Sequence, residues 1–308
     1  MEIGLSVIIP IYNGIQYLEK QIMQIREASR KINLGVEIIF SNDDPGIPLP
    51  EQLDGGGLEI IELQTDRNQG IQRSRIRGLS VSRGQYIHFL DQDDEISPDF
   101  YSSQLEEIGD ADFVFCRCYN GNRQPYNFDR VFEEAFEGEK IFSVCPMISP
   151  GQALIRKKSI PEFWQTHYLG KVGSDDYFLW LCMYAEHAIV AYNQNILFRH
   201  VKTGENYSID VLRTFEADME MVNLLLDEKI FVGGEAEMLR ALPQINLKRR
   251  YLPQKKDQMV LYVLDKLLRA EERGNTLEKY FQKKCIKSIA IYGAAILGER
   301  VKGLLKAG

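Results

Sequence analysis

The chain of 308 residues lacks most of the features that place a protein quickly. Its five cysteines (116, 118, 145, 182 and 285) form no C-x-x-C pair. An odd, scattered set argues against a disulfide framework and for reduced thiols in a cytoplasmic protein. No apolar run approaches the ~20 residues needed to span a bilayer. The opening "MEIGLSVIIPIYN" has neither the basic flank nor the apolar length of a secretory signal. No basic stripe accompanies the net charge of −7, so nucleic acid is not an expected partner. There is no internal repeat and no low-complexity tract. Apolar residues make up 44% of the chain, enough for a substantial core. The expected location is cytoplasmic, with loose association with the inner face of a membrane left open.

The first half alternates strand and helix signals. "LSVIIPIY" is short, β-branched and continuous, which marks a buried strand. Further strands are expected at 36–41, 58–63 and 85–90, and helices at 15–30, 71–82 and 98–108, the last opened by Ser97 and Pro98. This is the βαβ pattern of a mostly parallel α/β sheet covered on both faces. Ligands of such sheets bind beyond the carboxyl ends of the strands. Asn13, Asp43 and Asp91 each follow a strand and so are expected at one crevice. Strands at 111–118 and 152–157, a helix at 174–187 capped by Ser174, and a strand pair or long strand at 188–200 continue the chain. Cys116 and Cys118 face one side of their strand and suit buried packing better than metal binding. Residues 119–150 suit a lid or substrate loop. From about 208 the periodicity turns helical (209–229, 235–250 and 254–272). Three regions follow: 1–207, a helical 208–285, and 286–308. The last reads as the opening βα of a truncated Rossmann-like unit, with Ala295 where the dinucleotide fingerprint needs its second glycine.

"YIHFLDQDDEISPDF" (86–100) carries the sharpest chemistry. An apolar strand ends in Asp91, Asp93, Asp94 and Glu95. Like charges this close repel, so a cation is expected nearby. Asp91-Gln92-Asp93 is a D-x-D, a pattern suited to Mn2+ or Mg2+ shared with substrate phosphates. An acidic turn opening the next helix accounts for it equally well. An EF-hand does not, because Ile96 stands where its glycine belongs. A haloacid-dehalogenase-like phosphotransferase is a competitor, with Asp91 as nucleophile and Asp175 and Asp176 on Mg2+. Against it, Asp94 and Glu95 follow where that motif has threonine or valine, and ninety residues with their own strands precede the motif.

The blocks "LSVIIPIYNGIQYLEKQI", "VEIIFSNDDPG", "RNQGIQRSRIRGLSVSRGQYIHFLDQDDEISPDF" and "GSDDYFLWL" occur in that order. Together, over about residues 4–205, they resemble the family 2 glycosyltransferases, inverting enzymes of the GT-A fold. The resemblance implies that Pro10, Tyr12 and Asn13 cradle the nucleotide base. It implies that Asp43 accepts a hydrogen bond from that base, although Asp44-Pro45 replaces the family's Gly-Ser. Asn68, Gly70 and Arg75 match its N-x-G…R segment, with Arg75 near the pyrophosphate or Asp91. Asp93 would ligate the metal, Asp91 the ribose or the metal, and Asp94 would hold the loop. Asp176, with Asp175 before it, matches the family's Glu-Asp pair and becomes the candidate general base. His200, one of only four histidines, is a candidate contact to metal or diphosphate, as is Lys202 to phosphate. The expected reaction moves a hexosyl or N-acetylhexosaminyl group from a nucleotide sugar, a UDP-sugar first, to a glycan or lipid-linked acceptor. Bacterial surface polysaccharide synthesis is the implied setting. A noncatalytic sugar-nucleotide-binding protein is the remaining alternative.

Overall fold

The apolar run near the N-terminus forms the strand at the heart of the sheet. β1 (Ile3–Ile11) has a parallel neighbour on each edge and is buried from Leu5 to Ile11. Burial on both faces is what a continuous rather than alternating apolar run specifies. The computed structural model describes residues 2–50, 53–121, 125–126, 136, 138–203 and 211–251. The helix expected at 254–272 and the βα unit at 286–308 lie outside them.

β2 (Gly35–Asn42) pairs with β1, and β3 (Glu59–Gln64) with β2, all parallel. β3 is an edge strand, with Glu59, Glu62 and Gln64 exposed and Ile60, Ile61 and Leu63 half-buried. The chain then returns through α2 (Ile71–Val81) to β4 (Tyr86–Phe89), on the other edge of β1. The order β3-β2-β1-β4 thus reverses between β1 and β4, and a crevice opens there at the strand ends. Beyond β4 the sheet is mixed. β8 (Ala153–Arg156) lies antiparallel between β4 and β6 (Phe113–Asn120), and β9 (Val190–His200) runs parallel to β6. Within the segment 188–200 the chain therefore forms the one long strand β9, with register shifts, rather than a pair. A short β5 (Glu95–Ile96) inside the acid loop pairs with the end of β9, setting Glu95 opposite Arg199. β7 (Pro125–Tyr126) pairs with β6.

Two apolar layers flank the sheet. One gathers Leu5, Val7, Ile9 and Ile11 with α1 (Leu18–Ser29) and α3 (Phe100–Glu107). The other gathers Ile8, Ile87 and Phe89 with Trp164 of α4 (Glu162–Thr166) and with α5 (Asp175–Ala185), α6 (Val211–Asp227) and α7 (Gly233–Tyr251). Alternation along a strand sends neighbours to opposite layers. Gly78 lets α2 close on β1: a Cβ there would lie 2.4 Å from Ile8. Cys116 and Cys118 are both buried in the first layer, as packing residues, and burial raises both thiols, Cys118 to about 12. α3 starts at Phe100, whose N–H bonds the Ser97 carbonyl, with Asp99 in the cap position. The chain divides into two compact units, Met1–Asn246 and Leu247–Gly308. The first contains both the sheet and α6. Among the described residues no helix is long and apolar enough to cross a membrane.

Candidate active site

The strand ends at the crevice carry the polar residues that the sequence singles out. At the end of β1, Pro10 is buried against Ser41, while Tyr12 is 47% exposed and Asn13 takes a left-handed φ of 49°. The backbone of Tyr12 is gripped from both sides by one side chain. Its N–H donates to Gln92 Oε1 at 3.0 Å, and Gln92 Nε2 donates to its carbonyl at 3.0 Å. Gly14 leaves the room for this: a Cβ would sit 2.0 Å from Gln92 Oε1. The middle residue of the D-x-D therefore ties the acid loop to the end of β1.

After β2, Asp43 is buried and its Oδ2 accepts the N–H groups of Gln69 (2.9 Å) and Gly70 (2.7 Å). Among the described residues its Oδ1 has only long contacts, 3.5 Å to Thr65 and 3.6 Å to Arg77. Asn68 closes the turn by accepting from Gly70 N at 3.0 Å. Gly70 has φ 89°, which favours glycine.

Arg75, on α2 and 3% exposed, is the cation the acid cluster requires. Nη2 donates to Asp91 Oδ1 at 2.5 Å, and Nη1 donates to Asp175 Oδ2. Burial works against its charge, but Asp91, Asp175 and Asp176 outweigh burial and raise its pKa above the ordinary value. The guanidinium thus joins the D-x-D to the start of α5. Asp91 Oδ2 accepts from Ser149 at 3.1 Å, so both of its oxygens are engaged. Asp93 has no ion pair or hydrogen bond to another side chain among the described residues. Burial, then the charge of Asp91, raise its pKa. Asp94 is buried, and its Oδ1 accepts from His200 Nδ1 (3.0 Å) and Val201 N (2.9 Å). Desolvation pushes it up to about 7. With Nδ1–H donated to Asp94, the neutral imidazole of His200 keeps its lone pair on Nε2. Burial lowers the His200 pKa, but the bond to Asp94 and the surrounding acids raise it more. Behind the loop, Gln21 on α1 donates to the carbonyls of Gln92 (2.7 Å) and Asp94 (3.0 Å).

Asp175 and Asp176 open α5, where the helix dipole favours carboxylates. Ser174 stands in the cap position without capping: its hydroxyl donates to Asp218 Oδ1 at 2.6 Å. The cap expected of it is thus diverted to a buried acid. Asp175 is held by Arg75, and burial is the main influence raising its carboxyl. Asp176 accepts from Tyr177 N at 2.7 Å and keeps part of its surface open to solvent. Burial, then Asp175, push it up to about 7.

Asp91, Asp94, Arg75, Asp175 and His200 are thereby linked by direct contacts or through the four-residue acid loop, and Tyr12 joins them through Gln92. Asp43 and Asn68 form a second group at the end of β2. Lys202 passes Gly121 and makes no ion pair among the described residues. Gln92, Ser149, Gln21 and Asp218 were not singled out in the sequence. Gln21 had a signal, as a polar residue in the apolar stripe of α1 (Leu18, Ile22, Ile25, Ala28). No three His, Cys, Asp or Glu side chains close into a metal cage among the described residues. One or two carboxylates completed by substrate phosphates is the usual provision for Mg2+. Asp93, desolvated, crowded by Asp91 and without a side-chain partner, fits that role.

Known proteins support the same architecture. EpsH of Bacillus subtilis is 28% identical over 119 residues, 37% of this chain and 33% of EpsH, so the match spans about a third of that protein. The glycosyltransferase GlyG of Streptococcus pneumoniae serotype 4 is 23% identical over 80% of this chain and 87% of its own. In fold, the chain resembles S. aureus TarS 1-349 in complex with UDP-GlcNAc (TM-score 0.55, 16% identity, 81% and 73% covered). It also resembles the mannosyltransferase PcManGT of Pyrobaculum calidifontis with GDP-Man and Mn2+ (TM-score 0.56, 13% identity, 100% and 86% covered). The sheet and its helices are those of a GT-A glycosyltransferase. The model of glycosyl transferase family 2 matches residues 6–164, a little over half of the chain, and the chain belongs to that family.

Proposed function

We propose that the protein is an inverting, divalent-metal-dependent glycosyltransferase that uses a UDP-sugar. The acceptor is a glycan or lipid-linked sugar, met at the cytoplasmic face of the membrane during surface polysaccharide synthesis. The observation that carries the reading is the Arg75 bridge, which sets the D-x-D beside a carboxylate pair of unequal duties. Asp175 is committed to Arg75, whereas Asp176 is raised to about 7 and is open to an acceptor. A base poised near the working pH combines the right protonation state with a useful driving force.

In this reading Tyr12 stacks on the base and Asp43 Oδ1 accepts from it. Asp91, fixed by Arg75 and Ser149, meets the ribose. Mn2+ or Mg2+, held by Asp93 with His200 beside it, would supply charge compensation to the departing diphosphate. The acceptor oxygen bonds to C1 as the bond from C1 to the phosphate oxygen breaks. The electron pair leaves with the diphosphate, and the acceptor's proton passes to Asp176. The catalytic residues fall in region 1–207, with α6 as support.

A phosphotransferase fits less well, since the Arg75 ion pair draws charge from the Asp91 carboxylate that would attack, and the same guanidinium holds Asp175, which that mechanism needs on Mg2+. The test is a panel of UDP-sugars and GDP-mannose assayed for nucleoside diphosphate release, with Mn2+ and with chelator. Metal-dependent UDP release is expected. Binding without turnover of any donor, or phosphate-monoester hydrolysis, would overturn the proposal.

A further inference from the structure

One acid of α6 lies where the helix should be apolar. Thr214, Ala217, Met221, Val222 and Leu225 form its buried stripe, and Asp218 falls within it, 3% exposed. A buried carboxylate is costly unless it is paired and hydrogen-bonded. Asp218 is bonded on both oxygens: Oδ1 accepts from Ser174 Oγ at 2.6 Å, and Oδ2 from Asn246 Nδ2 at 3.0 Å. Ser174 is the residue immediately before the Asp175–Asp176 pair, and its hydroxyl is withdrawn from helix capping to make this bond. Two residues further along α6, Glu220 accepts the backbone N–H groups of Gly170 (2.9 Å) and Lys171 (2.7 Å). The strap that leads into the catalytic helix is therefore gripped at two points by α6. On its other side, Trp164 Nε1 donates to the Asp175 carbonyl at 3.1 Å.

We infer that Asp218 is a positioning residue for the acceptor-side carboxylates, acting through Ser174 to set the first turn of α5. The inference rests on the assignment of Asp176 as base. α6 lies beyond residue 207, so the helical region serves the chemistry as well as the core. Misplacement by a fraction of an ångström is enough to slow a proton-accepting base, since near-attack geometry is steeply distance-dependent.

The experiment measures transfer kcat, donor affinity and melting temperature for Ser174→Ala, Asp218→Asn and the double variant Asp218→Asn/Asn246→Asp. Asp218→Asn turns an amide N–H2 toward Asn246 Nδ2, and the reciprocal change restores one donor and one acceptor. The expected result is a fall in kcat of about tenfold or more in Ser174→Ala and Asp218→Asn. UDP-sugar affinity should be unchanged, and the swap should recover most of kcat. Unchanged kcat overturns the inference. So does a parallel loss of kcat, donor affinity and melting temperature, which marks a purely structural role. Should Asp218→Asn fail to fold, Ser174→Ala decides by the same criteria. Asp176→Asn is run alongside: if it leaves transfer intact, the base assignment fails; if it removes transfer while Ser174→Ala does not slow it, only the Asp218 role fails.

Discussion

The two sides of the crevice are held by different kinds of contact. The side proposed for the donor is made of strand ends. Tyr12, Asp43 and Asp91 reach one edge because β1, β2 and β4 are parallel neighbours, and short loops hold each in place. The side proposed for the acceptor is a helix start, fixed by residues distant in sequence. Asp175 answers to Arg75, a hundred residues earlier, and Ser174 to Asp218, 44 residues later. In the proposed reading, donor recognition is thus built into the sheet topology, whereas placement of the base depends on packing between helices. Arg75 belongs to both sides, and the largest effects are expected there.

Replacing Arg75 by Met would leave the buried Asp175 and the half-buried Asp91 without their cation. Removing one partner of a buried pair costs about 3–5 kcal/mol. Transfer and donor binding should fall together with a large drop in melting temperature. A variant that loses transfer alone, at full stability, would show that the two sides are not joined through Arg75.

Asp93→Ala should separate the sides. Metal-dependent turnover is expected to vanish, because the D-x-D loses the carboxylate without a side-chain partner, while melting temperature stays within a few degrees. A Mn2+ titration of activity checks this, and an unaltered Mn2+ dependence would refute the ligand assignment.

The acceptor side alone is probed by Asp176→Asn, which keeps shape and removes proton acceptance. Transfer should fall about 10²-fold or more with donor affinity retained. Asp175→Asn is expected to act differently, by weakening the ion pair with Arg75 and lowering stability. If Asp175→Asn instead abolishes transfer at unchanged stability, the two roles are exchanged.

How much of this was legible in the sequence follows the same division. The parallel strands, D-x-D, N-x-G…R and the Asp-Asp pair lie in contiguous stretches, and strand-end geometry gathers them without further instruction. The use made of Gln92 was not legible, since by type it is an ordinary polar loop residue and only the fold brings its amide to Tyr12. Nor was the diversion of Ser174, because a serine before a helix reads as a cap wherever it occurs. Asp218 was detectable as an acid in a helical apolar stripe, but its partner at 174 was not, since no local rule links the two positions.

The smallest expected effect tests the donor side at its finest contact. Gly14→Ala would drive a Cβ into Gln92 and break its two bonds to Tyr12. Donor KM should rise a few-fold with kcat little changed. Gln92→Ala should do the same, and the double variant should be no worse than either single change. Additive losses would mean that the two residues act separately.

The central claim is that Asp176, raised by burial and by Asp175, takes the acceptor's proton. Below about pH 7 its carboxyl is protonated and cannot accept, so the transfer rate must fall as pH falls through that value. The neighbouring Asp94, also near 7, and His200 stay in place when Asp176 is replaced. The decisive measurement is the pH dependence of transfer in the native protein and in Asp176→Asn at saturating metal. A rising limb with an apparent pKa of about 7 in the native protein, absent from the residual activity of the variant, is the predicted result. The same limb surviving in Asp176→Asn would contradict it.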